Sequence, residues 1–171
     1  MAARPAWAYG HGMERTPRNE TGTNVRAEPS PPTTPDDVLR EILTESRTIA
    51  VVGLSGNPDR DSHRVARYLQ EHGYQIIPVN PAEPEVRGEK SYASLAEVPV
   101  PVDVVDVFRR PEAVPEIVDA AIRIRARVVW LQLGIRHDEA AAKAREAGLD
   151  AVQDRCMKVE HARLVRASRG R

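Results

Sequence analysis

TIAVVGLSGNPDRDSHRVARYL, residues 48–69, holds three elements in succession. Ile49, Ala50, Val51 and Val52 make the short apolar, β-branched run that suits a strand buried on both faces. Gly53, Leu54, Ser55, Gly56, Asn57, Pro58 and Asp59 then supply the residue types that permit tight turns. Asp61 or Ser62 can cap a helix whose apolar positions Val65, Ala66 and Leu69 recur at helical spacing. Strand, glycine loop and helix N-terminus, in that order, can hold a phosphate. The first N–H groups and the dipole of the helix favour an anion, and glycine lets the backbone come close. The same connection also serves as a plain turn in βα units, so this stretch sets the fold before it sets a ligand.

Working outward, Gly73 ends that helix and Gln75, Ile76, Ile77, Pro78 and Val79 read as a second strand. Pro78 removes a ladder donor, so this strand should end near it or carry an irregularity. Residues 80–90 read as a turn-rich connection and 94–98 as a short helix. A third strand over 102–108 contains Asp103 and Asp106, whose odd spacing puts them on opposite faces. At least one must therefore lie at a strand end or against a polar partner. Pro111 opens a helix bearing Val114, Ile117, Val118, Ala121 and Ile122, and 127–133 is a fourth strand closed by Gly134. A helix over 138–147, a short strand at Ala151 and Val152, and a helix from Lys158 to about 165 complete the pattern. Upstream, Thr34 can cap a helix with Pro35 at its first position and Val38, Leu39, Ile42 and Leu43 as its apolar stripe.

Strands alternating with helices predict a Rossmann-like, doubly wound α/β fold: a mainly parallel five-stranded sheet with helices on both faces. The expected domain spans residues 35–166. A proline-rich N-terminal tail, 1–34, precedes it and reads as disordered; a basic C-terminal tail, 167–171, follows. In such sheets ligands bind beyond the carboxyl ends of the strands, where the strand order reverses. The loops at those ends are 53–61, 80–84, 108–111 and 134–138.

Twenty-five basic and 25 acidic residues leave the chain formally neutral, which argues against a nucleic-acid or membrane surface as partner. No run approaches the ~20 apolar residues of a membrane span, and the N-terminus lacks the apolar centre of a secretory signal. With one cysteine, Cys156, there is no disulfide framework, and a cytoplasmic location is expected. The five histidines are scattered without metal-ligand spacing, so no metal site is expected. Residues 53–56 lack the G-x-G-x-x-G pattern, and no acid ends the second strand to hold a ribose, which counts against NAD. An NADP-type ligand would have to use Arg87 or Lys90 on its 2′-phosphate. No Walker pattern exists, and Asn57 stands where a nucleophile elbow around Ser55 needs glycine. A triad of Ser55, Asp106 and His137 can be drawn, but a serine touching phosphate or capping a turn is the simpler reading. What remains is a set of cations at strand ends, Arg60, Arg64, Arg109 and Arg110, suited to a polyanionic ligand.

The ordered set GLSGNPDRDSHRVARYL, GYQIIPVNP, SLAEVP, VDVVDVFRRPE, VVWLQLGI and AGLDAVQDRCMKVEH resembles the small single-domain CoA-binding proteins of bacteria. Their domain is similar to the CoA-binding domain of the succinyl-CoA synthetase α-subunit. The resemblance covers about residues 36–164. It implies that Gly53, Leu54, Ser55 and Gly56, with the following helix N-terminus, take the pyrophosphate. Arg60, Ser62, His63 and Arg64 are the nearby candidates for phosphate contact. Asn80 and Pro81 would lie along the adenosine end, and Val107, Phe108 and Arg109 would flank the adenine or its phosphates. It implies a CoA or acyl-CoA binding protein without catalysis of its own, and no residue here is assigned as catalytic. Two alternatives stay open: a small CoA-dependent or thiol-exchange enzyme using Cys156, and a nucleotide-binding regulatory module with a protein partner.

Overall fold

The computed structural model describes residues 33–167. Helix α1 (Asp36–Glu45) leads into β1 (Thr48–Val52), α2 (Asp61–Glu71) and β2 (Gln75–Val79). A two-stranded hairpin, β3 (Glu85–Val86) and β4 (Glu89–Lys90), occupies what reads in the sequence as turns alone. A single 3₁₀ turn over Leu95–Glu97 precedes β5 (Val104–Val107). Then come α3 (Val114–Arg123), β6 (Val128–Leu131), α4 (Asp138–Glu146), β7 (Asp150–Val152) and α5 (Met157–His161). The chain continues from α5 as a π-helical turn over Ala162–Arg166. Most of the expected tails, including all of 1–32 and 168–171, fall outside the described residues.

The main sheet has the order β2-β1-β5-β6-β7, and each neighbouring pair is parallel. This is the doubly wound Rossmann-like architecture. Strand alternation divides the core into two layers, because successive side chains point to opposite faces. Ile49, Val51, Ile76, Val104 and Trp130 face α1, α2 and α5, where Leu39, Leu69 and Met157 meet them. Ala50, Val52, Ile77, Val105 and Val129 face α3 and α4, packing on Val118, Ala121 and Ala144. Both layers are largely aliphatic, so the strands are mostly apolar rather than alternating, with Asp106 of β5 the buried exception.

Several local expectations shift by a residue or two. The N-cap of α1 is Pro35, not Thr34: the Leu39 N–H donates to the Pro35 carbonyl at 3.0 Å. The N-cap of α2 is Arg60, with no side-chain cap, because the Ser62 hydroxyl is engaged by the loop instead. As expected, β2 ends close to Pro78, one residue later at Val79, and Pro78 pairs with Val51 in an edge strand, where a missing ladder donor costs little. Asp103 sits just before β5 and accepts from the Arg47 and Thr48 N–H groups at 2.8 and 3.0 Å. Asp106 lies within β5 on the α2 and α5 side, fully buried, and accepts from the Gln132 amide at 2.7 Å. Arg163 holds Asp36 in two bonds of 2.6 and 2.7 Å and so ties the C-terminal turn to α1; its guanidinium keeps the Asp36 carboxyl below the usual range.

Candidate functional site

The chain leaves β1 for β2 on one side, while β5 lies on the other, so the strand order reverses between β1 and β5. Gly53 stands at that point with φ of +87°. A Cβ there would be 2.5 Å from the Phe108 carbonyl oxygen and 3.1 Å from Arg109 Nε. Only glycine lets the ends of β1 and β5 approach this closely at that φ. The Phe108 N–H completes the junction by donating to the Val52 carbonyl at 2.9 Å.

Beyond it the loop is braced from within. The Ser55 N–H donates to Ser62 Oγ at 3.1 Å, the Asn57 N–H to Ser55 Oγ at 3.1 Å, and the Asp59 N–H to Asn57 Oδ1 at 2.9 Å. The Gly56 N–H donates to Glu83 Oε1 at 2.8 Å, so a carboxylate from the loop after β2 already holds this amide. Asn80 ties the same two loops: its side-chain N–H donates to the Leu54 carbonyl at 3.0 Å and its Oδ1 accepts from Ala82 at 3.0 Å. The first-turn amides of α2, Asp61 and Ser62, have no intrahelical acceptor and carry the positive end of the dipole.

Three openings meet around this junction. The central one, about 360 Å³, is lined by Gly53, Ser55, Arg60, Asp61, Ser62 and Phe108. On the β2 side a slot of about 170 Å³ runs past Val79, Pro81, Leu95, Arg109 and Ile117. On the β6 side a cavity of about 350 Å³ has Val65, Phe108, Leu133, Ile135, Cys156 and Val159 for apolar walls. Asp61, Arg64, Gln132 and Lys158 give that cavity its polar edge.

The residues singled out from the sequence therefore divide. Gly53, Ser55, Arg60, Ser62 and Phe108 converge on the central opening, with Arg64, Pro81 and Arg109 on its two flanks. Leu54 and Val107 are fully buried in opposite core layers, so either can meet a ligand only through its backbone. The Gly56 amide and Asn80 side chain are spent on bracing. His63 is 9 % exposed and lines none of the three openings. Burial chiefly, with Arg87 and Arg67 beside it, lowers its pKa, and Glu83 opposes them. Arg110 lines none of the openings either, and Arg64 is held by Asp61 at 3.3 Å and by the Asp59 carbonyl at 2.8 Å. The drawn triad does not assemble: His137 caps α4, with Nδ1 accepting from Ala140 at 3.2 Å, while Asp106 pairs with Gln132.

Glu83, Gln132, Leu133, Ile135, Lys158 and Val159 were not foreseen as site residues. All but Glu83 lie in blocks that carry the resemblance, but no spacing assigns them to the site; they reach it because parallel strands stack their carboxyl ends side by side. Burial pushes the Asp106 carboxyl up to about 7, against the Gln132 hydrogen bond and the Val107 N–H. Among the described residues no group of three or more His, Cys, Asp or Glu side chains could hold a metal ion. No helix among them is long and apolar enough to cross a membrane.

The strand order and the crevice at its reversal define a Rossmann-like α/β domain with an open cleft at its switch point. The chain belongs to the CoA binding domain family, whose model matches residues 47–162. It is 45% identical over 124 residues to the uncharacterized protein YneT of Bacillus subtilis, covering 72% of this chain and 92% of that one. A solved hypothetical protein from Pyrococcus horikoshii superposes with a TM-score of 0.76 at 46% identity, covering 81% of this chain and 99% of that one. A shorter similarity, 43% over 58 residues, joins it to subunit alpha of the ADP-forming acetate–CoA ligase II of Pyrococcus furiosus. That match spans 33% of this chain and 13% of that subunit.

Proposed function

We propose that this protein binds CoA or a CoA thioester, with the diphosphate over the N-terminus of α2, and performs no chemistry of its own. The observation that carries the reading is the central opening. It joins the uncapped first-turn amides of Asp61 and Ser62, the Ser55 loop and the Arg60 side chain at the switch point of the sheet. An anion placed there meets unpaired N–H donors and the helix dipole together. The 3′-phosphate adds about −1.5 to −2 charges at neutral pH, and Arg109 on the β2-side slot is the cation available to it. Family membership supports CoA over other phosphorylated ligands. The absence of an acid at the end of β2, where Val79 is followed by Asn80, argues against NAD.

Calorimetric titration with CoA, acetyl-CoA, NAD and NADP at moderate salt tests this. Saturable binding of CoA or acetyl-CoA, with both nicotinamide cofactors silent, is the expected result. Preference for NADP, or no CoA binding, overturns it.

A further inference from the structure

The loop after β2 brings a negative charge to the loop that the proposed ligand's own negative charge approaches. The Gly56 N–H, next in the chain after the Ser55 that lines the central opening, donates to Glu83 Oε1 at 2.8 Å. A Cβ on Gly56 would collide with Glu83 Oε2, so glycine at this position is what lets the carboxylate close on the loop. Glu83 is half-buried, and none of the ion pairs among the described residues includes it. A peptide N–H, rather than a cation, is therefore what this carboxylate is bonded to.

The two loops have a tie besides this one. The Asn80 side chain donates to the Leu54 carbonyl at 3.0 Å, and Asn80 is itself anchored by its N–H on the Tyr92 carbonyl at 2.9 Å. The Asn80 carbonyl accepts from the Glu83 N–H at 3.3 Å and from Ser91 Oγ at 3.2 Å. The backbone of the 80–84 loop thus stays in place when the Glu83 side chain turns away. A peptide N–H carries one hydrogen, and carboxylate and phosphate oxygens are the same kind of anionic acceptor for it. Glu83 and a diphosphate oxygen consequently compete for Gly56. If Glu83 holds on, its charge repels a diphosphate seated on the adjoining Ser55 loop and α2 N-terminus.

We propose that Glu83 is a built-in competitor of the ligand: its carboxylate occupies the Gly56 N–H in the free protein and opposes the incoming diphosphate, holding affinity below what the loop, the helix and Arg60 alone would give. This rests on the CoA reading above and adds to it the residue that limits how tightly the ligand is held. Glu83 acts on the ligand's charge and takes no part in any chemistry.

The test is calorimetric titration of the full chain and two variants with CoA, at low and at high salt. Glu83→Gln keeps the size of the side chain and an oxygen for the Gly56 N–H but removes the charge; Glu83→Ala removes both. Glu83→Gln is expected to bind CoA about three- to tenfold more tightly than the parent at about 50 mM salt, the size of one charge interaction across a hydrated site. The gain should shrink below about twofold near 0.5 M salt, where exposed charges are screened. Glu83→Ala should gain at least as much. If the contact serves only to brace the site, Glu83→Ala weakens CoA and Glu83→Gln matches the parent. A gain below threefold in Glu83→Gln at low salt, a gain undiminished at high salt, or weaker binding by Glu83→Ala overturns the proposal. A parent and a Glu83→Gln variant that both fail to bind CoA overturn the CoA reading and this proposal with it; CoA bound equally by the two overturns this proposal alone.

Discussion

Replacing Asp106 with Asn tests the physics of the buried floor of the site most sharply. Asp106 is wholly inside the sheet, with its carboxyl raised from 3.8 to about 7 by loss of water. A raised carboxyl pKa means that the folded state binds the proton more tightly than the unfolded chain. The stability this group contributes is therefore fully present below about pH 4 and is lost as pH climbs through about 7. At about 1.4 kcal/mol per unit, the gap of roughly three units corresponds to about 4 kcal/mol of stability that the parent loses across that window. Asn cannot ionise and keeps an acceptor for Gln132. Its new N–H₂ group lands where Oδ2 has no partner, which costs about 1–3 kcal/mol. The difference in unfolding free energy, variant minus parent, should thus rise by about 4 kcal/mol between about pH 4 and pH 8. At the upper end the variant should be the more stable of the two by about 1–3 kcal/mol. Urea denaturation of both proteins at those pH values measures this, and the other titrating groups cancel in the difference. A difference that stays constant within about 1 kcal/mol would refute the claim that burial of a charge dominates at Asp106.

Three other outcomes follow from the geometry. Gly53→Ala should cost about 2–4 kcal/mol in denaturant melts, from a left-handed Cβ and from its collision with the Phe108 carbonyl; a cost below about 0.5 kcal/mol would show that the β1–β5 junction is looser than described. Arg109→Ala should weaken CoA binding by about 1.5–3 kcal/mol, as for a lost charge-assisted hydrogen bond, with an unchanged calorimetric affinity removing Arg109 from the site. Gly56→Ala and Glu83→Ala should be strongly non-additive, with a coupling of about 1–2 kcal/mol, because a Cβ on Gly56 would collide with Glu83 Oε2; simple additivity in a double-mutant cycle would mean the two loops are not braced through this contact.

The fold was legible because buried parallel strands write themselves as short β-branched runs, and each run here sits between helix stripes of period 3.6. Asp103 and Asp106 were legible as problems needing partners, and each found one of the two foreseen solutions: a strand end for the first, a polar partner for the second. The hairpin β3–β4 escaped because strands of two residues carry no period. The lining of the central opening is largely local in sequence, so Gly53, Ser55, Arg60 and Ser62 could be read from one stretch. The β6-side cavity is assembled from α2, the end of β6 and α5, and no spacing along the chain announces it. Leu54 and Val107 show the converse limit: a motif position can lie beside the site and still turn its side chain into the core.

The most direct test of the central claim is a nitrogen–proton NMR titration of the labelled protein with CoA. Saturable shifts of the Gly53, Ser55, Asp61 and Ser62 amides are expected, since these line the opening over the start of α2. Amides remote from the switch point, such as Glu45 at the end of α1 and Ala147 after α4, should stay in place. Saturable shifts that leave the α2 N-terminus untouched, or no saturable shift at all, would contradict the account.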